Sequence, residues 1–296
     1  MARVLVSGGS GFLGGEVVRR AAARGDDVVG TWWSHEPAPV AGVTWARVDG
    51  RDRRAVDALV GDVGPDAVVH TAYVQGGPDL RAVTTEGSAH LAVAARRAGA
   101  RLVHLSTDVV FSGTTDRPYR EDDPVAPVHD YGRAKAAAEA RVTAADPGAV
   151  LVRTSLLYRG PVASRPPSRH EQDVLDAVDG TTDAAFFTDE WRNPVLVDDL
   201  AAALLELAGR PEVVGPLHVA GPDAVTRFEL AQLVAAAFGR DPQRVRGATS
   251  ASIVPARPRD CRLDTSLAAR TLDTRVRGVR EVLGAGPPGF FPHAPA

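Results

Sequence analysis

The sequence predicts an α/β fold, a doubly wound parallel sheet with a smaller C-terminal α/β region, and three observations carry that expectation. Short, almost uninterrupted apolar runs such as VLV at 4–6 and AVV at 67–69 read as strands buried on both faces. Longer stretches between them carry apolar residues at helical spacing, the alternation that gives parallel strands joined by covering helices. The first strand also breaks into SGGSG just before a helical stretch begins.

Taken in order, Val4, Leu5 and Val6 form the first strand, and Phe12, Leu13, Val17 and Val18 share a face of a helix expected over 12–24. Asp26 and Asp27 turn the chain into a second strand over 28–32, and alternation over 43–48 marks a third. A fourth strand spans 66–71 (DAVVHT), a helix with an alanine-rich face spans 80–98, and a fifth strand spans 101–106 (RLVHLS). Another alanine-rich helix begins near Tyr131, and 150–154 gives the sixth strand. Beyond it the pattern predicts helices over 171–178 and 198–208, the latter capped by Asp198 and returning to the main sheet. A short strand over 217–220 and helices over 226–238 and 264–272 follow. The closing GAGPPGFFPHAPA reads as irregular, with Phe290 and Phe291 suggesting that it docks on something.

With 296 residues the chain can bury a sizeable core, and its formal net charge of −3 offers no concentrated basic face for nucleic acid or an anionic membrane. No apolar run approaches the ~20 residues of a membrane span, and MARVLV meets the glycines too soon for a signal peptide, so a cytoplasmic location is expected. The single cysteine, Cys261, excludes an internal disulfide, and eight histidines without metal-type spacing give no reason to expect a metal. Lysine and arginine total 34, and Lys135 is the only lysine, leaving 33 arginines. A lysine kept in such a chain points to work for a compact point charge beside a titrating group.

The segment SGGSGFLGG satisfies two overlapping patterns. Gly9, Gly11 and Gly14 give G-x-G-x-x-G, and Gly8, Gly11 and Gly14 give G-x-x-G-x-x-G. Both serve a pyrophosphate lying against bare N–H groups at a helix N-terminus, where peptide dipoles favour negative charge and a Cβ would hold it off. The preceding strand and following helix supply the context this motif requires. A dinucleotide is therefore expected against Gly8, Gly11 and Gly14, with Phe12 and Leu13 opening the helix, Thr31 and Trp32 ending the second strand, and Ala72 just past the fourth. Asp49, ending the third strand, is either an acceptor for an adenine amine or a solvated turn residue. NAD sites usually place a carboxylate about 20 residues past the glycines to hold the ribose 2′-OH. Here the strand ends in Thr31, Trp32 and Trp33, so NADP is favoured over NAD, with Ser34 and His35 as candidate partners of a 2′-phosphate. No arginine follows the strand directly.

Past the fifth strand come STDVVFSG, a polar loop and DYGRAKAAAEA. Tyr131 and Lys135, four apart, share one helix face. A phenol titrates near 10, and an adjacent ammonium favours the phenolate, the pairing that a carbonyl reductase needs. Thr107 leaves the fifth strand where its hydroxyl can polarise the same carbonyl oxygen.

Together these motifs resemble the extended short-chain dehydrogenase/reductase superfamily and, within it, the dTDP-4-dehydrorhamnose reductase family. The resemblance rests on SGGSGFLG, STDVVFSG, PYREDDPVAPVHDYGRAKAAAE, DEWRNPVLVDDLA and RPRDCRLDTS, which span most of the chain in the family's order. It implies a Rossmann domain over 1–154, completed by about 188–210, with 155–187 and 211–296 as the substrate-binding region. It also implies NAD(P)H-dependent reduction of a 4-keto group on a dTDP-linked deoxysugar. Carried over by position, Tyr131 is the acid, Lys135 holds the nicotinamide ribose and tunes Tyr131, and Thr107 is the hydroxyl partner.

Departures from the family pattern mark the sugar-facing wall. Leu156 replaces a tryptophan within RTSLLYRGPVASRPPSRHEQ, where Arg159, Arg165 and Arg169 either bind a diphosphate or belong to a solvated loop. Thr84 stands where many relatives place a relay asparagine, and Val109 follows STD where sugar dehydratases carry a glutamate, which favours reduction over elimination. Trp191, Arg192 and Arg257 are candidate substrate contacts or packing residues. Two rival readings stay open: a cofactor-bound regulatory subunit without turnover, and a ketone reductase of specialised metabolism whose substrate is not a nucleotide sugar. A homodimer is compatible with all three.

Overall fold

A computed structural model describes residues 1–162, 165–250 and 257–284. Its centre is a seven-stranded, wholly parallel sheet ordered β11-β6-β5-β4-β1-β2-β3. The strands are β1 (Arg3–Ser7), β2 (Asp27–Trp32), β3 (Val43–Arg47), β4 (Ala67–His70), β5 (Arg101–Thr107), β6 (Val150–Thr154) and, after two-residue strands β7 (Leu157–Tyr158), β8 (Phe186–Phe187), β9 (Trp191–Arg192) and β10 (Val195–Leu196), β11 (Gly215–His218). The remaining short strands are β12 (Val225–Thr226) and β13 (Gly247–Ala248). The order reverses between β1 and β4, which opens a crevice beyond their carboxyl ends.

Helices cover both faces of the sheet. On one, α1 (Phe12–Ala23) and α6 (Val197–Ala208) set Leu13, Val17, Val18, Leu200 and Leu204 against Val4, Val6, Val103 and Val152. On the other, α2 (Arg53–Val63), α3 (Gly87–Ala98) and α4 (Asp130–Ala145) bring Val60, Leu91 and Val142 onto Leu5, Val68 and Leu102. A separate core beyond β6 gathers Tyr158, Val174, Phe186, Leu230, Leu233 and Leu283 from α5 (Arg169–Val178), α7 (Arg227–Ala237) and α9 (Val279–Leu283). The helix α8 (Ser266–Thr271) returns Ala268 to the main core.

The doubly wound sheet and its strand order follow the sequence pattern, while several details differ from it. The expected helix over 80–98 winds as a π-helix over Arg81–Glu86 before becoming α3. The wide turn aims Thr84 at the loop after β4, where its hydroxyl donates to Val74 O at 3.0 Å and accepts from Val74 N at 3.1 Å. Asp198 does not cap α6: Leu196 holds the N-cap position, and the Asp198 carboxylate is engaged by Arg20 at 2.9 Å and Arg165 at 3.3 Å. Helix α2 was not anticipated, although Asp52 caps it by accepting from Arg54 N and Ala55 N and Gly64 closes it in the left-handed region. Strand β11 falls in the stretch expected to belong to the substrate-binding region, yet it extends the main sheet by pairing with β6. Phe290 and Phe291 lie outside the described residues.

Candidate active site

The glycine turn shows which of the two overlapping patterns the fold uses. Gly8 has φ +80°, and a Cβ there would lie 2.7 Å from Ala72 N. A Cβ on Gly14 would lie 2.1 Å from Gly8 O and 2.7 Å from Thr71 Oγ1, while Gly11 N donates to Gly8 O at 3.0 Å. Gly9 instead makes room for the Trp45 ring, 3.0 Å from where its Cβ would be. The operative spacing is therefore G-x-x-G-x-x-G at Gly8, Gly11 and Gly14, a bare cradle at the N-terminus of α1 that suits a diphosphate. Thr31 braces this turn, accepting from Gly8 N at 3.1 Å through Oγ1 and from Ser10 N through its carbonyl. Leu13 buries its side chain in the core, and the Phe12 ring lies 4.3 Å beneath the Arg159 guanidinium.

Two arginines come to the end of β2, Arg47 from its neighbour β3 and Arg51 from the turn after β3. Arg47 is the register partner of Trp32; its guanidinium lies 5.3 Å from the Trp32 ring and 4.8 Å from that of Trp33, and its Nε donates to Trp33 O. Arg51 sits 6.0 Å from the Trp33 ring and binds Asp49 at 2.7 Å and Asp79 at 2.9 Å. Its hydrogen bonds hold the Asp49 carboxyl below the usual range, so Asp49 is committed to an ion pair rather than left as a free acceptor. Ser34 and His35 are exposed and bond each other at 2.9 Å.

Across the crevice, α4 is pressed against the end of β5. Its N-cap His129 accepts from Gly132 N at 3.0 Å, and a Cβ on Gly132 would come within 2.4 Å of Val109 O. This close approach seats the start of α4 against the segment just past Thr107. Lys135 is 2% exposed, donates to Leu105 O at 2.9 Å and lies 5.2 Å from the Tyr73 ring, which in turn lies 5.7 Å from the Tyr131 ring. The carbonyl of Leu105 meets one of the three donors of the ammonium, whereas a guanidinium would bring five donors to the same buried place, which gives the only lysine a physical reason.

Burial pulls Lys135 down to about 8, opposed by Glu139. Tyr131 runs against the sequence expectation: burial, with Tyr73 and Asp108 adding to it, pushes its phenol well above the ordinary value. Tyr131 is therefore a neutral proton donor at pH 7. The paired rings of His70 and His104, 5.2 Å apart, are likewise driven down by burial and by the charge of Lys135.

Thr107 donates through Oγ1 to Asp108 Oδ1 at 3.2 Å. Asp108 is buried, accepts from Ser155 Oγ at 2.6 Å, and has its acid form favoured by burial despite Arg192 Nε at 3.6 Å. Sequence reasoning missed Tyr73, Gly132 and Asp108 as parts of this site; their signal lies in contacts between β4, β5 and α4 rather than in local spacing.

The candidate substrate residues divide. Arg192 is buried and donates to Trp191 O, Pro258 O and Arg259 O, so it packs the wall. Arg257 clasps the fully buried Glu190 and lies 5.3 Å from the Phe187 ring, and Trp191 is half-buried beneath the Arg262 guanidinium at 5.9 Å. Arg165 is bound to Glu16 and Asp198, and Arg169 is exposed and paired with Asp173, so these two are not poised for a diphosphate. A cavity of about 250 Å³ in the C-terminal region is lined by His170, Phe186, Phe187 and Arg227. Among the described residues, no helix is long and apolar enough to cross a membrane, and no group of three or more acidic, His or Cys side chains is placed to hold a metal.

Comparison with known proteins places this geometry among relatives. The family described as the RmlD substrate binding domain matches residues 2–285. The chain is 35% identical over 251 residues to the dTDP-4-dehydrorhamnose reductase of Mycolicibacterium smegmatis, covering 82% of this chain and 72% of that protein. It is also 32% identical over 278 residues to the methionine adenosyltransferase 2 subunit beta of Pongo abelii, covering 89% and 80%. The crystal structure of a Bacillus anthracis dTDP-4-dehydrorhamnose reductase in complex with NADP shares the fold with a TM-score of 0.81 at 21% identity, covering 95% of this chain and 97% of that one. With its glycine cradle, doubly wound sheet and Tyr131–Lys135 helix in the family's order, the chain belongs to the RmlD family of extended short-chain dehydrogenases/reductases.

Proposed function

We propose that the protein is an NADPH-dependent reductase acting on the 4-keto group of a dTDP-linked deoxysugar. The observation that carries this reading is the placement of Tyr131 and Lys135 on one helix, both beside the Tyr73 ring and with Lys135 anchored on Leu105 O of β5, together with a turn at 8–14 whose glycines leave no room for a Cβ. The names of the Mycolicibacterium relative and of a probable dTDP-4,6-dihydroxy-2-methyloxan-3-one 4-ketoreductase of Streptomyces antibioticus, 34% identical over 269 residues, support the substrate class.

A bound reduced nicotinamide would supply the hydride. The chain's own groups do the rest. Thr107 turns its hydroxyl from Asp108 to the substrate oxygen, and Tyr131, held neutral by burial, delivers its proton as negative charge develops there. Lys135 retains its charge through most of the range below about 8 and offers it to the phenolate and to a ribose hydroxyl. The absence of an acid after Asp108 leaves proton delivery to Tyr131 alone. Arg47 beside Trp33 favours the 2′-phosphate of NADPH, because its guanidinium flanks the end of the strand where a ribose carboxylate partner is missing.

The test is a panel of dTDP-4-keto sugars assayed for NADPH consumption. The reading expects turnover with at least one, slower use of NADH, and a selective loss of NADPH affinity in Arg47→Ala. A second reading draws on the subunit-beta relatives: a chain that binds dinucleotide without turning over. Tight NADPH binding, no consumption across the panel, and co-purification with a larger enzyme would favour it.

A further inference from the structure

We infer that Arg159 clamps the diphosphate of the bound dinucleotide from the side opposite the glycine turn. This rests on the dinucleotide-binding reading above and adds a residue to it. Arg159 follows β7 and is 8% exposed, with its guanidinium 4.3 Å above the ring of Phe12, the first residue of α1. Gly11 caps that helix without a side-chain hydrogen bond, so the first N–H groups of α1 lack a protein partner from the cap.

Arg159 is held rather than satisfied. Its backbone N–H donates to Glu171 Oε1 at 3.0 Å, and Nη1 donates to Pro166 O at 2.7 Å. Its Nε–H is buried with no acceptor among the described residues, an expensive state for a charged donor unless a ligand completes it.

The neighbouring carboxylates do not neutralise it. Glu16 is taken by Arg19, Arg20 and Arg165, Asp198 by Arg20 and Arg165, and Glu171 accepts from the backbone N–H groups of Arg159, Gly160 and Ser168. Burial, with Arg165 adding to it, lowers the pKa of Arg159 from its ordinary value, and Glu16, Asp198 and Glu171 offset this only in part. A second anion brought to the mouth of α1 relieves that imbalance. A cofactor diphosphate fits this place better than a substrate diphosphate, because the guanidinium lies over the helix that the glycine cradle opens.

The test compares wild type with Arg159→Met, which keeps an apolar stem over Phe12, and with Arg159→Lys. Affinities are measured for NADPH, for 2′-AMP, which has the adenosine end without the diphosphate, and for dTDP. The inference expects NADPH to bind about tenfold to a hundredfold more weakly to Arg159→Met, intermediate affinity in Arg159→Lys, and 2′-AMP and dTDP unchanged within about twofold. Unchanged NADPH affinity overturns it, as does an equal loss for NADPH and 2′-AMP, which would signal general loosening. A loss confined to dTDP assigns Arg159 to the substrate and overturns it too. A wild-type protein that binds no dinucleotide at all fails at the proposed function itself, a result distinguishable from the others.

Discussion

The sheet domain and the region beyond β6 are built by different means. In the first, strands of four to seven residues pair in parallel, and glycines at 8, 11 and 14 shape a turn by local backbone geometry. In the second, strands are two residues long, and the wall near the crevice is held by buried charge: Glu190, fully buried, faces Arg192 at 3.7 Å, Arg227 at 3.9 Å and Arg257 from a segment 67 residues away. Periodic burial makes a rigid platform for the dinucleotide. Ion pairs distant in sequence make a wall whose composition can change without disturbing that platform.

The comparison can be broken most severely at Glu190. Replacing it with alanine leaves buried guanidinium groups uncompensated and should cost about 3–5 kcal/mol in denaturant unfolding. If the two regions are as separable as their construction implies, dinucleotide affinity measured under native conditions changes less than substrate KM. Gly14→Ala is the converse. The added Cβ meets Gly8 O and Thr71 Oγ1, so NADPH binding should be abolished, at a stability cost of about 1–3 kcal/mol read by thermal melting.

Acid pH probes both regions at once. Burial holds His70 and His170 at about 3 and His218 at about 4, and His104 is also lowered. The unfolded chain takes up these protons below about 6.5 while the folded one refuses them. Stability is therefore complete above that pH and falls as pH drops, by about 1.4 kcal/mol per pH unit for each histidine. Denaturant titrations from pH 7 to 5 should show this slope, and His170→Phe should reduce it by one proton's share.

At the alkaline end the sign reverses in cause but not in direction. Lys135 loses its proton at about 8 when folded and near 10.4 when unfolded, so the unfolded chain binds more protons between those values and stability rises with pH there. Lys135→Met should abolish this rise. The smallest effect is expected for Thr84→Val, which loses the two hydrogen bonds to Val74 and loosens the Tyr73 loop by about 1–3 kcal/mol, seen as faster amide exchange at Val74.

What the sequence disclosed divides along the same line. Val4 to Val6 and Arg101 to Ser106 announce buried parallel strands because both faces are covered, and Tyr131 with Lys135 announces a shared helix face because the helical period fixes it. Arg47 leaves no local signal beside Trp33 because it comes from β3, adjacent in the sheet rather than in the chain. The direction of the Tyr131 shift is not legible in the i, i+4 spacing, because burial of the phenol, with Tyr73 and Asp108 adding to it, depends on tertiary packing. Whether Arg192 packs or touches substrate is decided by the carbonyls of 258 and 259, which occupy its donors from 66 and 67 residues away in the chain.

The central claim is that Tyr131 gives its proton to a ketone reduced beside the glycine cradle. Single-turnover reduction of a dTDP-4-keto sugar by deuterated NADPH, with wild type and Tyr131→Phe each saturated with dinucleotide, tests it directly. The account predicts deuterium at C4 of the sugar in wild type and a rate about 10²- to 10⁴-fold lower in Tyr131→Phe, with NADPH affinity unchanged. An equal rate in the two proteins, or label found elsewhere in the product, would contradict it.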